Sequence, residues 1–226
     1  MTAADTAEAL VDAAEGLFAE SGFEAASLRA VMRAAGSDPG SIHYHFRGRE
    51  GLSAAVLRRV LVPLNQRRLE LLNAAEQAAD PIPLHWIIDA IVRPDIELAQ
   101  ELHHRGPGRA RLLGAVYINP ASFVKGNVEH HFAPVAARFM PHLVRAVPEV
   151  APELLAWRVR WCVFGVVGAV LSDGDEALAL DPEELVDRLV TATSAAVDAA
   201  VHGAGEPLGR FGRIDQPVAP AAGKEP

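Results

Sequence analysis

The chain has 226 residues, half of them hydrophobic, and carries a formal net charge of −8, which excludes a protein that attracts nucleic acid over its whole surface. Its length allows a sizeable core, and the single cysteine, Cys162, excludes an internal disulfide bond and fits a reducing cytoplasm. Aromatic residues make up 6% of the chain, alanine is abundant and no alternating strand-like segment occurs, so we expect an all-α protein.

The first predicted helix lies in segment 1–24, which has a net charge of −6 and no basic residue. Asp5 and Glu8 are predicted to form the capping pair that opens it, and Ser21-Gly22 is predicted to end it. Its inward stripe consists of Ala7, Leu10, Val11, Ala14, Leu17 and Phe18. Segment 25–49 has the opposite charge, +3, so basic charge is concentrated there, as a local DNA contact requires.

Two short helices joined by a tight turn are predicted within that basic segment. The first has an inward stripe of Leu28, Val31, Met32 and Ala35. Gly36 is predicted to end it, because glycine accepts the left-handed conformation. Asp38 is predicted to cap the second helix, with Pro39 at its first position.

The second short helix has two unlike faces. Ile42 and Phe46, four residues apart, are predicted to point at the core. The outward face carries small, polar and aromatic residues, namely Gly40, Ser41, His43 and Tyr44. Small residues permit close approach and the others exchange hydrogen bonds, so this face suits the major groove of DNA. The pattern predicts an N-terminal three-helix helix-turn-helix DNA-binding domain over residues 1–50.

Three runs of residues in this region follow one another: AAG at 34–36, GSIHYHF at 40–46 and RGREGL at 47–52. Together they resemble the helix-turn-helix signature of the TetR family of bacterial transcriptional regulators, over roughly residues 7–52. His43 departs from the pattern, where the family often has tyrosine, and Ser37-Asp38 replaces a common Val-Ser. Asp38 would repel phosphate unless it is occupied as a cap, so we expect a lower DNA affinity than is typical.

Nine residues are predicted to contact DNA: Ser27, Arg29, Gly40, Ser41, His43, Tyr44, His45, Arg47 and Arg49. Ser27 is also expected to cap its helix, and base-edge contacts are assigned to Ser41 and His43. The resemblance implies that Arg49 anchors the following helix to the DNA backbone and that Tyr44 and His45 correspond to the family's aromatic-histidine pair. A capping or packing role for His45 is left open.

A larger helical ligand-binding and dimerisation domain is predicted over residues 51–202. Its first helix runs from near Arg49 to about Glu76, and Pro63 either kinks it or ends it. Further helices are expected at about residues 84–103, 109–118, 122–147, 152–171 and 182–202, with bends at their internal prolines. Segment 203–226 contains five glycines and four prolines and is predicted to be a disordered tail.

The last two helices, about 152–172 and 182–202, are predicted to form a homodimer. The first has a seam of Leu154, Trp157, Trp161, Phe164, Gly168 and Leu171, and the second is rich in alanine. A reader of palindromic DNA needs two recognition helices about one turn, ~34–36 Å, apart. The resemblance also implies a dimer joined as a four-helix bundle. Completion of a monomeric core by both helices is the alternative.

These patterns predict a ligand-responsive transcriptional regulator, a repressor that a small apolar or amphipathic effector releases from a palindromic double-stranded DNA operator. Phe123, Asn127 and His130 share one helix face at i, i+4 and i+7, and with Trp86 they are predicted to line the effector site. Ordinary core and surface roles for these four residues are the alternative. Activation rather than repression also stays open.

Catalytic, metal and membrane functions are not predicted. The chain has no Gly-x-Ser-x-Gly motif or phosphate-binding glycine loop, and its adjacent histidine pairs diverge by about 100° on a helix, so we expect no enzyme, cofactor or metal site. The longest apolar run, Trp161–Leu171, has 11 residues, too few to span a bilayer, and no signal sequence is recognisable, so a cytoplasmic protein is expected. The second hypothesis is an all-helical small-molecule binding protein or enzyme that has lost DNA binding.

Overall fold

The computed structural model describes residues 2–106, 108–118, 122–172 and 181–202, which form nine α-helices and no strand. In chain order these are α1 (Ala3–Ala25), α2 (Leu28–Ala34), α3 (Ser41–Phe46), α4 (Arg49–Ala78), α5 (Leu84–His104), α6 (Arg111–Ile118), α7 (Ser122–Ala146), α8 (Pro152–Ser172) and α9 (Pro182–His202). The all-α prediction is confirmed. The predicted tail, 203–226, lies outside the described residues.

Helix α1 opens with a capping box. The Thr2 hydroxyl accepts a hydrogen bond from the Asp5 backbone N–H at 3.2 Å, and the Asp5 carboxylate accepts one from the Thr2 N–H at 2.7 Å. The predicted capping pair of Asp5 and Glu8 is therefore wrong, because the cap lies three residues before Asp5. Gly22, at φ 78°, interrupts the helical geometry where the sequence predicted the helix to end.

The turn between α2 and α3 uses glycine at two places. At Gly36, φ 60°, the Ser37 N–H bonds to the Met32 carbonyl and the Gly36 N–H to the Arg33 carbonyl, which is the Schellman pattern. Gly40, at φ 101° and ψ −13°, then occupies the third position of a turn that the Ser41 N–H closes on the Asp38 carbonyl. The prediction that Asp38 caps α3 and Pro39 starts it is wrong, because both precede the helix within this turn.

Helix α4 connects the two parts of the chain. It continues through Pro63, whose side chain is exposed. The alternative in which this proline ends the helix is therefore wrong. Its first turns pack against α1 and α3, and its later turns pack against α5 and α7. Helices α5 and α7 likewise run on through their internal prolines.

One hydrophobic core extends from α1 to α9 through the larger part of the chain. Helix α5 packs against α4, α8 and α9, while the short helix α6 packs against α1. Because of the contact between α6 and α1, the larger helical part touches the helix-turn-helix unit directly, in addition to the link through α4. Among the described helices, none is long and apolar enough to cross a bilayer.

Candidate DNA-binding surface

Helix α3 presents the two faces that the sequence predicted. Ile42 is 3% exposed and Phe46 packs against the core, whereas the Tyr44 side chain is 80% exposed and His43 is also exposed. Tyr44 has an apolar ring and a hydroxyl group that can exchange hydrogen bonds, and it lies beside polar groups on this short helix. The outer face of α3 is therefore free to enter a groove.

Three arginines around α3 are exposed: Arg29, Arg33 and Arg47. Within the described part of the chain none of their guanidinium groups forms an ion pair or a hydrogen bond, while most arginines of α4 and α5 are paired with carboxylates. An unpaired guanidinium group can bind a phosphate without first breaking an ion pair within the protein. Three exposed guanidinium groups without an ion pair therefore lie within the helix-turn-helix unit.

The small polar residues of the surface hold its turns in place. The Ser27 hydroxyl caps α2 by accepting the Ala30 N–H at 3.4 Å, as predicted. The Ser41 hydroxyl donates to the Asp38 carbonyl at 2.8 Å, which orients Ser41 at the first turn of α3. The His45 ring lies edge-on to Tyr44, with ring centroids 4.9 Å apart. His45 therefore packs against Tyr44, and its contact with DNA stays a prediction.

Arg49 has a structural contact that the sequence did not predict. Its Nη1 donates to the Phe23 carbonyl at 2.9 Å, and its side chain is half-buried. This bond ties the first turn of α4 to the end of α1. Its contact with a phosphate stays a prediction.

Arg47 lies in the left-handed region at φ 60° and ψ 20°, and its side chain is exposed. This conformation costs a residue other than glycine about 1–2 kcal/mol. Glycine at the same position would remove that strain. The substitution would break no side-chain contact in the described part of the chain. The contact of Arg47 with DNA stays a prediction.

Arg47→Gly is expected to leave the free energy of unfolding within about 1 kcal/mol of wild type, because relief of strain offsets the greater chain entropy of glycine. DNA affinity should fall, and the slope of log K against log salt should decrease by about 1 per protomer. Chemical denaturation and a salt series of binding titrations measure the two effects, with Arg47→Lys as the variant that keeps the slope. An unchanged slope in Arg47→Gly would remove Arg47 from the interface.

The four predicted effector residues lie on two helices, and the groove that Trp86 lines includes none of the three on α7. Trp86 lines an open groove between α4 and α5 with Leu71, Ala74, Ala75, Ala78, Asp89 and Ala90. Phe123 packs on the core, Asn127 donates to the Phe123 carbonyl at 2.8 Å and His130 is exposed, all three on α7. That these four residues line one effector site stays a prediction.

A buried polar cluster lies instead at the centre of the larger domain. Arg68 of α4 contacts Asp95 of α5 at 2.5 Å, and Tyr117 of α6 donates to Asp95 at 2.6 Å while accepting from Arg68 at 3.0 Å. Asn65 accepts a further guanidinium bond at 3.1 Å. Burial raises the pKa of Asp95, although the Arg68 charge and the Tyr117 hydroxyl oppose that rise.

Aromatic rings flank this cluster. The Phe132 ring stacks on Tyr117 with centroids 5.6 Å apart, Arg68 lies 5.0 Å from the centre of Phe132, and Phe164 of α8 meets Tyr117 edge-on at 6.0 Å. This group of residues was not predicted from the sequence. A signal was present, since Arg68 continues the inward spacing of Leu61 and Leu64. Among the described residues, no group of three metal-ligating side chains occurs.

A helix-turn-helix unit with an exposed face on its last short helix, joined to a larger helical domain with an apolar core and a buried polar cluster, defines the class of two-domain DNA-binding regulators. Comparison with known families agrees. Residues 10–56 match the domain described as "Bacterial regulatory proteins, tetR family", and residues 89–196 match "Tetracyclin repressor-like, C-terminal domain". The chain belongs to the TetR family of transcriptional regulators, which are ligand-responsive DNA-binding proteins.

Solved structures with the same fold include a transcriptional regulator from Pseudomonas aeruginosa PAO1, 18% identical, with a TM-score of 0.59 over 90% of this chain and 94% of that one. SmeT, the repressor of the Stenotrophomonas maltophilia multidrug efflux pump SmeDEF, is 19% identical, with a TM-score of 0.56 over 85% and 91% of the two chains. Its complex with triclosan is 20% identical, with a TM-score of 0.53 over 83% and 90%. No curated protein sequence matched.

Proposed function

We propose that this protein is a repressor that binds a palindromic operator as a homodimer and leaves it when a small apolar or amphipathic effector occupies the larger domain. We also propose that the DNA-binding domain ends near residue 50 and that α4 links it to the larger domain. The observation that carries the proposal is the outer face of α3, where Tyr44 is 80% exposed beside His43 and Ser41. Effector binding shifts the operator equilibrium if the effector prefers one arrangement of the two recognition helices.

The exposed face of α8 supports the homodimer. The side chains of Leu154, Trp157, Trp161 and Phe164 are 43%, 48%, 59% and 37% exposed, at spacings of three and four residues. Such a continuous apolar stripe on a surface helix is typical of a protein interface. Ala192 and Ala196 of the neighbouring helix α9 are also exposed, and small side chains allow close helix approach. We propose that α8 and α9 pair with their symmetry mates.

The aromatic group around Arg68 supports an effector that is at least partly apolar. Tyr117 and Phe132 of this group are stacked, partly buried aromatic side chains. A protein of this fold, SmeT, has been solved with triclosan bound. We propose that the effector contacts these rings, and mass spectrometry of small molecules that co-purify with the protein is the direct way to identify it.

The proposal is tested by a mobility-shift assay with the DNA upstream of the protein's own gene. The wild-type protein should bind, and Tyr44→Ala should bind at least tenfold more weakly, since an exposed contact residue is lost. Trp86→Ala removes another exposed aromatic side chain, away from α3, and should bind as wild type does.

Absence of binding to every upstream fragment at low salt would contradict this function and favour the second hypothesis, a helical small-molecule binding protein without DNA binding. One observation supports that second hypothesis. Asp38 is exposed at the turn before α3, where it caps no helix. Its carboxylate would repel phosphate, so we expect the affinity of the wild-type protein to be modest.

A further inference from the structure

A buried carboxylate joins the helix-turn-helix unit to the larger domain. Glu15 lies on the inward face of α1, and its side chain is 2% exposed. Its Oε1 is 3.1 Å from Nε of Arg59, while its Oε2 is 2.9 Å from Nη2 of Arg105 and 3.3 Å from Nη1 of Arg109. One glutamate therefore binds three arginines, and a charge at this depth is stable only with such partners.

The three arginines come from three places in the larger domain. Arg59 belongs to α4, Arg105 directly follows α5, and Arg109 precedes α6. Arg59 is held further by Asp12, at 2.5 Å, and by Glu8, at 3.4 Å, both on α1. A movement of α4, or of the segment between α5 and α6, must therefore move α1 or break these bonds.

The position of α1 sets the position of the recognition helix. Helix α1 packs against α2, α3 and α4, and Phe18 and Phe23 of α1 belong to the same buried core as Ile42 of α3. The bond from Arg49 to the Phe23 carbonyl fixes the end of α1 to the start of α4. These contacts make the helix-turn-helix unit a packed group that turns with α1.

We propose that Glu15 is a positioning residue for operator binding, which fixes the angle between the helix-turn-helix unit and the larger domain and thereby the separation of the two α3 helices in the dimer. This inference rests on the proposed function. Glu15 does not touch DNA, because its side chain is buried against the larger domain. It acts through α1.

Electrostatics and positioning predict opposite results when this charge is removed. Glu15→Gln makes the DNA-binding unit more positive by one charge, which by itself strengthens attraction to phosphate. Loss of the ionic contacts with Arg59, Arg105 and Arg109 frees the angle of α1, which weakens binding to two half-sites of fixed spacing. A fall in affinity therefore reports positioning and not charge.

The test compares Glu15→Gln with Glu20→Gln by titration of an operator fragment taken from the upstream DNA. Glu20 lies on the same helix, is exposed and has no ion pair in the described part of the chain, so its substitution makes the same change of charge without the contacts. Glu15→Gln should bind about tenfold more weakly, with an unchanged salt slope, and Glu20→Gln should bind as tightly as wild type or more tightly. Equal affinities for the two variants would overturn the inference.

A second variant separates positioning from misfolding. Arg109→Gln removes one partner from the other side of the contact, and its side chain is 28% exposed, so the fold should tolerate the change. If the contact sets the angle, the double variant should lose less affinity than the product of the two single losses, with circular dichroism showing all variants folded. Multiplicative losses would overturn the inference. Failure of the wild-type protein to bind any fragment would overturn the proposed function itself, and this inference with it.

Discussion

Gly51→Ala should destabilise the protein by about 3 kcal/mol, although alanine favours helices over glycine by about 1 kcal/mol. A Cβ built on Gly51 would stand 1.8 Å from the carbonyl oxygen of Phe46 and 2.8 Å from its carbonyl carbon. Both atoms belong to the backbone, so no side-chain rotation relieves the clash. The end of α3 must move away from α4, which displaces the recognition helix.

Thermal and chemical unfolding measure this effect, and operator titration at a temperature where the variant is folded should show weaker binding. Gly126→Ala is the matched control, because Gly126 lies within α7 and an added Cβ meets no atom within 4 Å. That substitution should raise the free energy of unfolding by up to about 1 kcal/mol. If both variants gained stability, the close packing of Gly51 against Phe46 would be disproved.

Trp161→Glu should convert the proposed dimer to a monomer. Trp161 is 59% exposed at the middle of the apolar face of α8. A two-fold interface loses the same tryptophan twice, and a tryptophan at the centre of an interface contributes about 2 kcal/mol or more, so the dimer dissociation constant should rise about a thousandfold. Operator affinity should fall at least about 100-fold, since a monomer binds a single half-site.

Analytical ultracentrifugation over a range of concentrations measures the dissociation constant. Trp86→Glu provides the control, because it also places a carboxylate at an exposed tryptophan, 39% exposed, but on α5. That variant should stay dimeric and bind the operator normally. A Trp161→Glu protein that remained a dimer would show that another face of the chain holds the protomers together.

The helix-turn-helix unit was largely predictable from sequence because its determinants are local. The apolar spacing around Val31 and Ile42, the left-handed glycine at Gly36 and the serine cap at Ser27 each act within a few residues. The start of α3 was mispredicted for the same local reason. Asp-Pro is a good helix opening, but Gly40 allows a tight turn here. Asp38 and Pro39 occupy that turn, and the helix begins after it.

The contacts between distant segments were not predictable in the same way. Glu15 and Asp95 stand in apolar stripes as single charged residues, which indicates a buried partner but not its identity. The partners of Glu15 include Arg59 and Arg109, which lie 44 and 94 residues further along the chain. The partner of Asp95 is Arg68, which lies 27 residues before it. The sequence could not place the four effector candidates in one site for a related reason, because one helix face says nothing about which other helix covers it.

Hydroxyl-radical footprinting of the wild-type protein on its own upstream DNA tests the central claim most directly, that α3 of each of two protomers enters a major groove. We expect two protected half-sites related by a two-fold axis, with centres about one helical turn, ~34–36 Å, apart or a multiple of it. Both should disappear together in Tyr44→Ala and in Trp161→Glu. Uniform weak protection without half-sites, or a pattern that survives Tyr44→Ala unchanged, would show that α3 of two protomers does not read the operator.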